Sequence, residues 1–224
     1  MKELDLTSLK SVLAVCAHPD DESFGLGAVV SRLVASGTRV SLLCFTRGEA
    51  STMGRPAGLS YARTDELSAA AATLGLASVY QLDHPDGRLH RVALRELVDP
   101  VLATARDVRA DGLLVFDPRG VTGHDDHRRA TAAALAASTE ANLPVLAWII
   151  PAHVAAALNH RFGTTFNGYS GESATWVLEV DRSRQLLAID QHRSQSADNP
   201  VLRYRLELMG NIEWLMWLPK DTTA

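Results

Sequence analysis

Histidine and carboxylate side chains are concentrated in two short segments of the chain. The first segment, residues 16–23, contains His18, Asp20, Asp21 and Glu22. Carboxylates this close together repel one another unless a positive charge lies among them, and a divalent metal ion would supply that charge. The same carboxylates also suit the start of a helix, where the macrodipole favours negative charge. That alternative accounts for the acidic residues but does not require His18.

The second segment contains His124 and His127, with two aspartates between them. This spacing alone is weak evidence, because many such pairs are surface or capping residues. Together with His18 and Asp21, however, His127 would supply two imidazole nitrogens and one carboxylate oxygen. Three protein ligands with a fourth position left to water are typical of catalytic zinc. Such a metal would lower the pKa of its water to ~7 and polarise a carbonyl group.

The remaining polar residues of the two segments suit the other steps of a hydrolysis. Asp20 precedes the predicted ligand Asp21, so its carboxylate can face the water and act as a general base. His124 could donate a hydrogen bond to an oxyanion and protonate a leaving amine. Asp126 could orient and charge that imidazole. Together these residues indicate hydrolysis of an amide or an ester.

Strand and helix patterns alternate through the first 150 residues with short connections. The predicted strands cover residues 12–15, 39–45, 78–82, 112–116 and 144–150. This alternation predicts a Rossmann-like α/β fold, a mostly parallel sheet with helices on both faces. Sites in such sheets form at the carboxyl ends of the strands. Both histidine-bearing segments directly follow predicted strands, so we expect them to meet at one edge.

The last third of the chain has a less regular pattern. It predicts a helix over residues 151–162, a strand over 175–180 and a helix over 185–192. The apolar tail, residues 202–218, is expected to pack onto the core. Since no linker or repeat separates these parts, the sequence predicts one domain over residues 1–224.

Composition excludes several classes of protein. The 224 residues are 46% hydrophobic and 21% charged, with a net charge of −4. The absence of a basic patch argues against nucleic acid as a partner. No apolar run reaches the ~18 residues of a membrane span, and the first residues lack the apolar core of a signal peptide, so a cytoplasmic location is expected. Cys16 and Cys44 are expected to be buried free thiols. The sequence leaves homo-oligomerisation open.

The two segments resemble those of a known family. Residues 17–22, Ala-His-Pro-Asp-Asp-Glu, and residues 123–128, Gly-His-Asp-Asp-His-Arg, are similar to the paired motifs of the LmbE-like (PIG-L) de-N-acetylases. The family includes deacetylases of mycothiol and bacillithiol synthesis and the enzyme acting on N-acetylglucosaminyl-phosphatidylinositol. Further similar segments are Thr46–Glu49, the Arg63 and Glu66 helix, Asp86–Gly87 and His192–Gln195. The resemblance covers most of residues 12–195.

The resemblance implies a role for individual residues. It implies that the zinc ligands are His18, Asp21 and His127. It implies that Asp20 is the base and that His124, supported by Asp126, stabilises charge in the transition state. The implied substrate contacts are Arg63 and, less directly, Glu49, Asp86 and His192. For His192 a position at a surface helix end is an open alternative. Zn²⁺ is the expected cofactor, with another divalent metal such as Fe²⁺ as the alternative.

The resemblance implies a zinc-dependent hydrolase that removes an N-acyl group, most often acetyl, from an amino sugar or glycoconjugate. Two other functions remain open. His18 and Asp20 with a distant histidine also fit the facial triad of a non-haem iron oxygenase, although such triads usually lie on all-β scaffolds. A sugar-binding module without activity would not need Asp20 or His124. Substrate selectivity is expected from the loops at residues 47–60, 83–90 and 163–173.

Overall fold

The computed structural model describes residues 9–53 and 59–219 of the chain. The strands are β1 (Ser11–Cys16), β2 (Arg39–Thr46), β3 (Ser78–His84), β4 (Gly112–Phe116), β5 (Val145–Pro151), β6 (Gly168–Tyr169), β7 (Trp176–Glu179) and β8 (Ile212–Leu218). The helices are α1 (Asp21–Phe24), α2 (Gly27–Ala35), α3 (Leu59–Leu74), α4 (Leu94–Asp107), α5 (Asp125–Ala141), α6 (Ala152–Phe162), α7 (Ser183–Ile189), α8 (Arg193–Ser196) and α9 (Pro200–Met209).

The strands form a mixed, mostly parallel sheet in the order β3-β2-β1-β4-β5-β8-β7, with β6 paired to β5. Strands β1 to β5 are parallel to one another, and β8 runs antiparallel to both β5 and β7. The chain moves outward from β1 through β2 to β3 and then returns to add β4 on the other side of β1. The order therefore reverses between β1 and β4, which is where open α/β sheets bind ligands.

The central strands are buried on both faces, as their continuous apolar runs require. In β1, Leu13 and Val15 pack with residues of α4 and α5 on one face. Val12, Ala14 and Cys16 pack on the other face with residues of α2, α3, α6 and α9. The predicted fold, a mostly parallel sheet covered by helices on both faces, is confirmed.

The tail of the chain differs from its prediction. Residues 202–218 were expected only to pack onto the core, but they form most of α9 and all of β8. Strand β8 lies inside the sheet, with Trp217 paired to Leu146 of β5 and Trp214 paired to Val177 of β7. The apolar side chains that suggested packing are those of an internal strand.

The first helix is shorter than its sequence pattern predicts. The helical spacing after β1 predicts one helix from Phe24 to Val34, whereas the chain forms α1 and α2 separated at Gly25. A β-carbon at Gly25 would lie 2.3 Å from Cε1 of Phe116, so this close approach requires glycine. The sequence also suggests a break near Pro100, but α4 continues through this residue.

Two further expectations concern the cysteines and the membrane. Cys16 and Cys44 are both free and buried, as predicted. None of the helices in the described ranges combines the length and apolar character needed to cross a membrane.

Candidate active site

The two histidine-bearing segments meet at the carboxyl ends of β1 and β4. His18, Asp20 and Asp21 follow β1, and the loop after β4 leads to His124 and His127 at the start of α5. Because β1 and β4 are adjacent and parallel, both segments reach the same edge of the sheet. The predicted meeting of the two segments is thereby confirmed.

Three side chains of this edge point their potential ligand atoms at one place. His18 Nδ1 lies 3.3 Å from His127 Nε2, and His127 Nε2 lies 3.1 Å from Asp21 Oδ1. The distance from His18 Nδ1 to Asp21 Oδ2 is 3.8 Å. Tetrahedral bonds of ~2.0–2.2 Å separate ligand atoms by about 3.3–3.6 Å. The spacing of the three residues therefore fits a small divalent metal such as zinc.

The other nitrogen of each histidine has an acceptor, which fixes its tautomer. His127 Nδ1 lies 3.3 Å from the carbonyl oxygen of Gly120, so Nδ1 carries the hydrogen and Nε2 presents its lone pair. His18 Nε2 lies 3.0 Å from Asp86 Oδ1 and 3.2 Å from Asp126 Oδ2. Since carboxylates only accept, His18 Nε2 carries the hydrogen and Nδ1 is available as a ligand. Such outer contacts are typical of metal-binding histidines.

Asp21 is held in place by backbone N–H groups of the turn between β1 and α1. Its Oδ2 accepts hydrogen bonds from the N–H groups of Ala17 at 3.1 Å and His18 at 2.9 Å. Its Oδ1 is left to face His127. Burial acts to raise the pKa of Asp21, but the charges of His127 and His18 outweigh burial and hold that pKa well below its usual range. Asp21 is therefore ionised and can offer an anionic oxygen to a cation.

The charge around His18 is strongly negative. Burial acts to lower the pKa of His18, but its hydrogen bonds to Asp126 and Asp86 raise that pKa to about 10. Among the residues that the structure describes, His18, His124 and Asp126 form a second group whose ligand atoms lie close together. A cation is thus favoured at this edge of the sheet, and the two groups share His18.

The carboxylate of Asp126, which was expected to orient and charge His124, forms no hydrogen bond with that ring in the described part of the chain. The carboxylate instead contacts His18 and accepts hydrogen bonds from the N–H groups of Gly87 at 2.7 Å and Leu89 at 2.9 Å. Since these N–H groups need an acceptor, the side chain at the second position of α5 turns toward them. The backbone N–H of Asp126 donates to His124 Nδ1 at 3.2 Å. His124 therefore carries its hydrogen on Nε2.

Asp20 and Arg63 form a buried ion pair beside the three ligand atoms. Arg63 Nη2 lies 2.8 Å from Asp20 Oδ2, and the Arg63 side chain is 4% exposed. Arg63 also donates to the carbonyl oxygens of Gly48 and Pro19. Burial raises the pKa of Asp20 to about 6, although the charge of Arg63 opposes it. A carboxyl group with that pKa can accept and release a proton near neutral pH.

Asp20 also has an unusual backbone conformation. Its φ of 104° lies in the left-handed region, which residues other than glycine seldom occupy. Its N–H donates to Glu22 Oε2 at 2.9 Å. Strain of this kind persists only where the surroundings impose it, and it is concentrated at functional sites. Glu22, which the sequence suggested as a simple helix-start residue, is thus a buried support of the turn.

A cavity of about 500 Å³ opens above these residues. Its wall includes Asp20, Arg63, Asp86 and His124 as well as the three ligand residues. Each loop that was predicted to set selectivity contributes to the wall: residues 50–53, residues 86–87 and Phe166. Part of the first loop, residues 54–58, lies outside the described residues.

Two of the predicted substrate contacts are not part of the cavity wall. Glu49 is exposed, and its Oε1 accepts a hydrogen bond from the N–H of Asp86 at 2.9 Å. His192 has no exposed surface, and its Nε2 lies 2.6 Å from Glu22 Oε1. The alternative of a surface histidine for His192 is therefore wrong. Both residues are placed to support neighbours of the site.

The structure adds wall residues that sequence reasoning missed. They include Trp148 of β5 and Arg205 of α9. Both lie far in sequence from the motifs and within ordinary apolar or helical patterns. No local signal marked either residue, because only the fold brings them to the cavity.

Comparison with known proteins identifies the family. The sequence pattern of the PIG-L family, described as GlcNAc-PI de-N-acetylase, matches residues 13–138. The chain belongs to the PIG-L family. The matched range contains both histidine-bearing segments together with Arg63, so the resemblance seen in the motifs is confirmed.

Curated relatives of this PIG-L chain are named as deacetylases. The 1D-myo-inositol 2-acetamido-2-deoxy-alpha-D-glucopyranoside deacetylase of Kineococcus radiotolerans is 32% identical, over 57% of this chain and 47% of the relative. Its counterpart in Mycolicibacterium vanbaalenii is 29% identical, over 95% of this chain and 88% of the relative. The diacetylchitobiose deacetylase of Thermococcus kodakarensis is 34% identical, over 61% of this chain and 52% of the relative. The chain spans about half the length of several curated relatives that it matches.

Solved structures share the fold of this PIG-L chain. N,N'-diacetylchitobiose deacetylase from Pyrococcus horikoshii has a TM-score of 0.69 at 24% identity, covering 96% of this chain and 86% of that chain. GalB of Pseudomonas putida, a 4-carboxy-2-hydroxymuconate hydratase, has a TM-score of 0.70 at 18% identity, covering 96% and 98%. Since one fold carries both a deacetylase and a hydratase, the reaction must be argued from the site.

Proposed function

We propose that the chain is a metal-dependent amidohydrolase that removes an N-acyl group, most often acetyl, from an amino sugar or sugar conjugate. The observation that carries the proposal is the convergence of His18 Nδ1, Asp21 Oδ1 and His127 Nε2 beside the carboxylate of Asp20. Membership of a family whose relatives are named as deacetylases supports the same reaction.

The donor set supports zinc over harder metals. Two imidazole nitrogens and one carboxylate oxygen suit zinc, and three protein ligands leave a position for water. The same donors also bind Fe²⁺, so Fe²⁺ remains the alternative metal. When bound, the metal supplies a water of lowered pKa and polarises the acyl carbonyl. His18, Asp21 and His127 would hold it.

Asp20 is the residue proposed to accept the proton of the attacking water. Its raised pKa of about 6 is suited to a general base. Arg63 fixes the carboxylate through Oδ2 at 2.8 Å, which leaves Oδ1 to face the water. The strained turn at Asp20 and the buried Glu22 keep the carboxylate in one orientation, so little reorganisation is needed during the reaction.

His124 is proposed to act on the substrate oxygen. Because the N–H of Asp126 occupies Nδ1, the hydrogen on Nε2 is available to the cavity. Burial lowers the pKa of His124, and so does the charge of His127. A neutral imidazole can donate a hydrogen bond to the oxyanion of the tetrahedral intermediate. The leaving amine would take the proton that Asp20 accepted from the water, which completes the amide cleavage and returns Asp20 to its carboxylate form.

The proposal includes residues 1–224 as one domain. Strands from Ser11 to Leu218 belong to a continuous sheet, which supports a common core for the first and last parts. The substrate is a small amino sugar or glycoconjugate, and the cavity of about 500 Å³ has room for a ligand of that size.

The test is a panel of N-acetylated amino sugars and conjugates, with release of acetate and free amine measured on zinc-loaded, iron-loaded and metal-depleted protein. We expect release that requires the metal and proceeds equally with and without oxygen. Oxygen-dependent product formation would support the oxygenase instead. Sugar binding without release of acetate by any metal form would support the binding module and overturn the proposal.

A further inference from the structure

Arg205 is a buried cation in the wall of the active-site cavity. It lies on α9, is 6% exposed and lines the same cavity as the metal-binding residues. Its guanidinium group is 5.0 Å from the centroid of the Trp148 ring. Burial lowers the pKa of Arg205 to about 10, so the side chain stays charged at neutral pH. The proposed hydrolysis gives this charge no role.

Arg205 forms no ion pair with a carboxylate in the part of the chain that the structure describes. The acidic group whose charge acts on it is Glu213. Glu213 is already engaged, because Oε1 contacts Arg182 Nη1 and Oε2 accepts a hydrogen bond from Trp148 Nε1 at 2.6 Å. Arg182 and Glu213 cancel each other's charge. Arg205 therefore leaves one uncompensated positive charge, which is costly to bury.

Most of the hydrogen-bonding capacity of Arg205 is also unused. Within the described ranges its guanidinium donates to one acceptor, the carbonyl oxygen of Phe24. Its other N–H groups are not among the buried polar atoms that lack a partner, so they keep exposed surface on a side chain that lines the cavity. An arginine can offer two parallel N–H groups to a carboxylate or a phosphate.

A series of ring contacts connects Arg205 with His127. The Phe116 ring is 5.0 Å from the His127 ring and 5.5 Å from the Trp148 ring. The Arg205 guanidinium group contacts the Trp148 ring at the other end of this series. Within the described ranges Arg205 has no hydrogen bond or ion pair with His18, Asp21 or His127, so a group that it binds belongs to a different part of the substrate from the scissile amide.

We infer that Arg205 binds an anionic group of the substrate, a carboxylate or a phosphate monoester, while the acylamino group lies at the metal-binding residues. This inference rests on the proposed function for the orientation of the substrate, but the binding of the anion does not depend on turnover. The apolar surface of Phe116 and Trp148 would pack against the substrate between the two ends.

The experiment compares amino sugars that differ in one charged substituent. Metal-loaded protein is titrated calorimetrically with glucosamine, glucosamine 6-phosphate and muramic acid, which carry no anion, a phosphate and a carboxylate. We expect at least one charged sugar to bind about 10- to 100-fold more tightly than glucosamine, as for a hydrogen-bonded charge pair. The preferred sugar distinguishes phosphate from carboxylate.

Three variants separate anion binding from a structural role. Arg205→Gln should bring the affinity for the charged sugar close to the affinity for glucosamine, so that their ratio is near one. Arg205→Lys should retain part of the preference for the charged sugar. Arg203→Gln removes a positive charge from the exposed face of the same helix and should keep the wild-type ratio. A wild-type ratio near one for both charged sugars would overturn the inference. So would an Arg205→Gln variant that keeps the preference.

The same sugars in N-acetylated form test the two proposals separately. Release of acetate without any preference for a charged sugar would leave the deacetylase intact and remove the anion site. A preserved binding preference without release of acetate from any sugar would keep the anion site and overturn the deacetylase.

Discussion

His192 Nε2 lies 2.6 Å from Glu22 Oε1, and neither side chain has exposed surface. The other oxygen of Glu22 accepts the N–H of Asp20 at 2.9 Å. The segment before α8 thus supports the turn that carries the proposed base. His192 is a positioning residue in this arrangement, because it acts on Asp20 through Glu22.

Loss of the His192 imidazole should impair turnover while the metal stays bound. We expect His192→Ala to lower kcat at least ~10-fold and to change KM little, because the Asp20 turn loses its support but the ligands remain. Removing one partner of a buried charge pair also costs ~3–5 kcal/mol of stability. Glu22→Gln, which keeps the shape, is therefore measured beside it by thermal denaturation, metal analysis and kinetics. The exposed His160 provides a control in His160→Ala. Wild-type kcat in both folded variants would contradict the positioning role.

Asp20→Asn tests the general base directly. The amide keeps the size of the side chain but cannot take the proton, so kcat should fall by ~10²–10⁴-fold. Metal content should stay at the wild-type level, since Asp20 is not one of the three ligand residues. Asp125→Asn is the matched control, because Asp125 is exposed and paired with Arg128. Activity within a few-fold of wild type in Asp20→Asn would exclude Asp20 as the base.

His127→Ala and His124→Ala distinguish the two groups of residues that could hold a metal. We expect His127→Ala to lose both metal and activity, because its Nε2 is 3.1 Å from Asp21 Oδ1 in the ligand cluster. We expect His124→Ala to keep the metal and lose most of its turnover. Elemental analysis after dialysis gives the metal content of both. The reverse pattern would assign the metal to His18, His124 and Asp126.

Much of the fold was predictable because its signals are local. Buried parallel strands such as β1 and β4 have uninterrupted apolar runs, and the polar residues that follow them lie at one edge by topology alone. Strand β8 was not recognised, because its apolar pattern does not say which strands it pairs with. Its place between β5 and β7 depends on partners distant in sequence.

The candidate site was also predictable only where its signals are local in the sequence. The convergence of His18, Asp21 and His127 was predictable because the two segments that carry them follow adjacent parallel strands. The carboxylate of Asp126 was expected to act on the nearby His124. In the structure it contacts His18, which lies 108 residues earlier in the chain. The burial of Glu22 against His192 and the position of Arg205 in the cavity wall likewise arise only when distant elements pack together.

Gly48 and Gly37 offer a test of how tightly Arg63 is held. Both have positive φ, 69° at Gly48 and 86° at Gly37, so alanine costs a similar backbone strain of ~1–2 kcal/mol at either position. A β-carbon at Gly37 would meet nothing within 4 Å, but at Gly48 it would lie 2.2 Å from Arg63 Nη1. Arg63 cannot move aside without losing its hydrogen bonds to Gly48 and Asp20. Gly48→Ala should therefore lower kcat at least ~10-fold by releasing Asp20 from the ion pair, whereas Gly37→Ala should only lower the melting temperature. Kinetics and thermal denaturation of both variants check this, and equal kcat values would mean that Arg63 does not position the base.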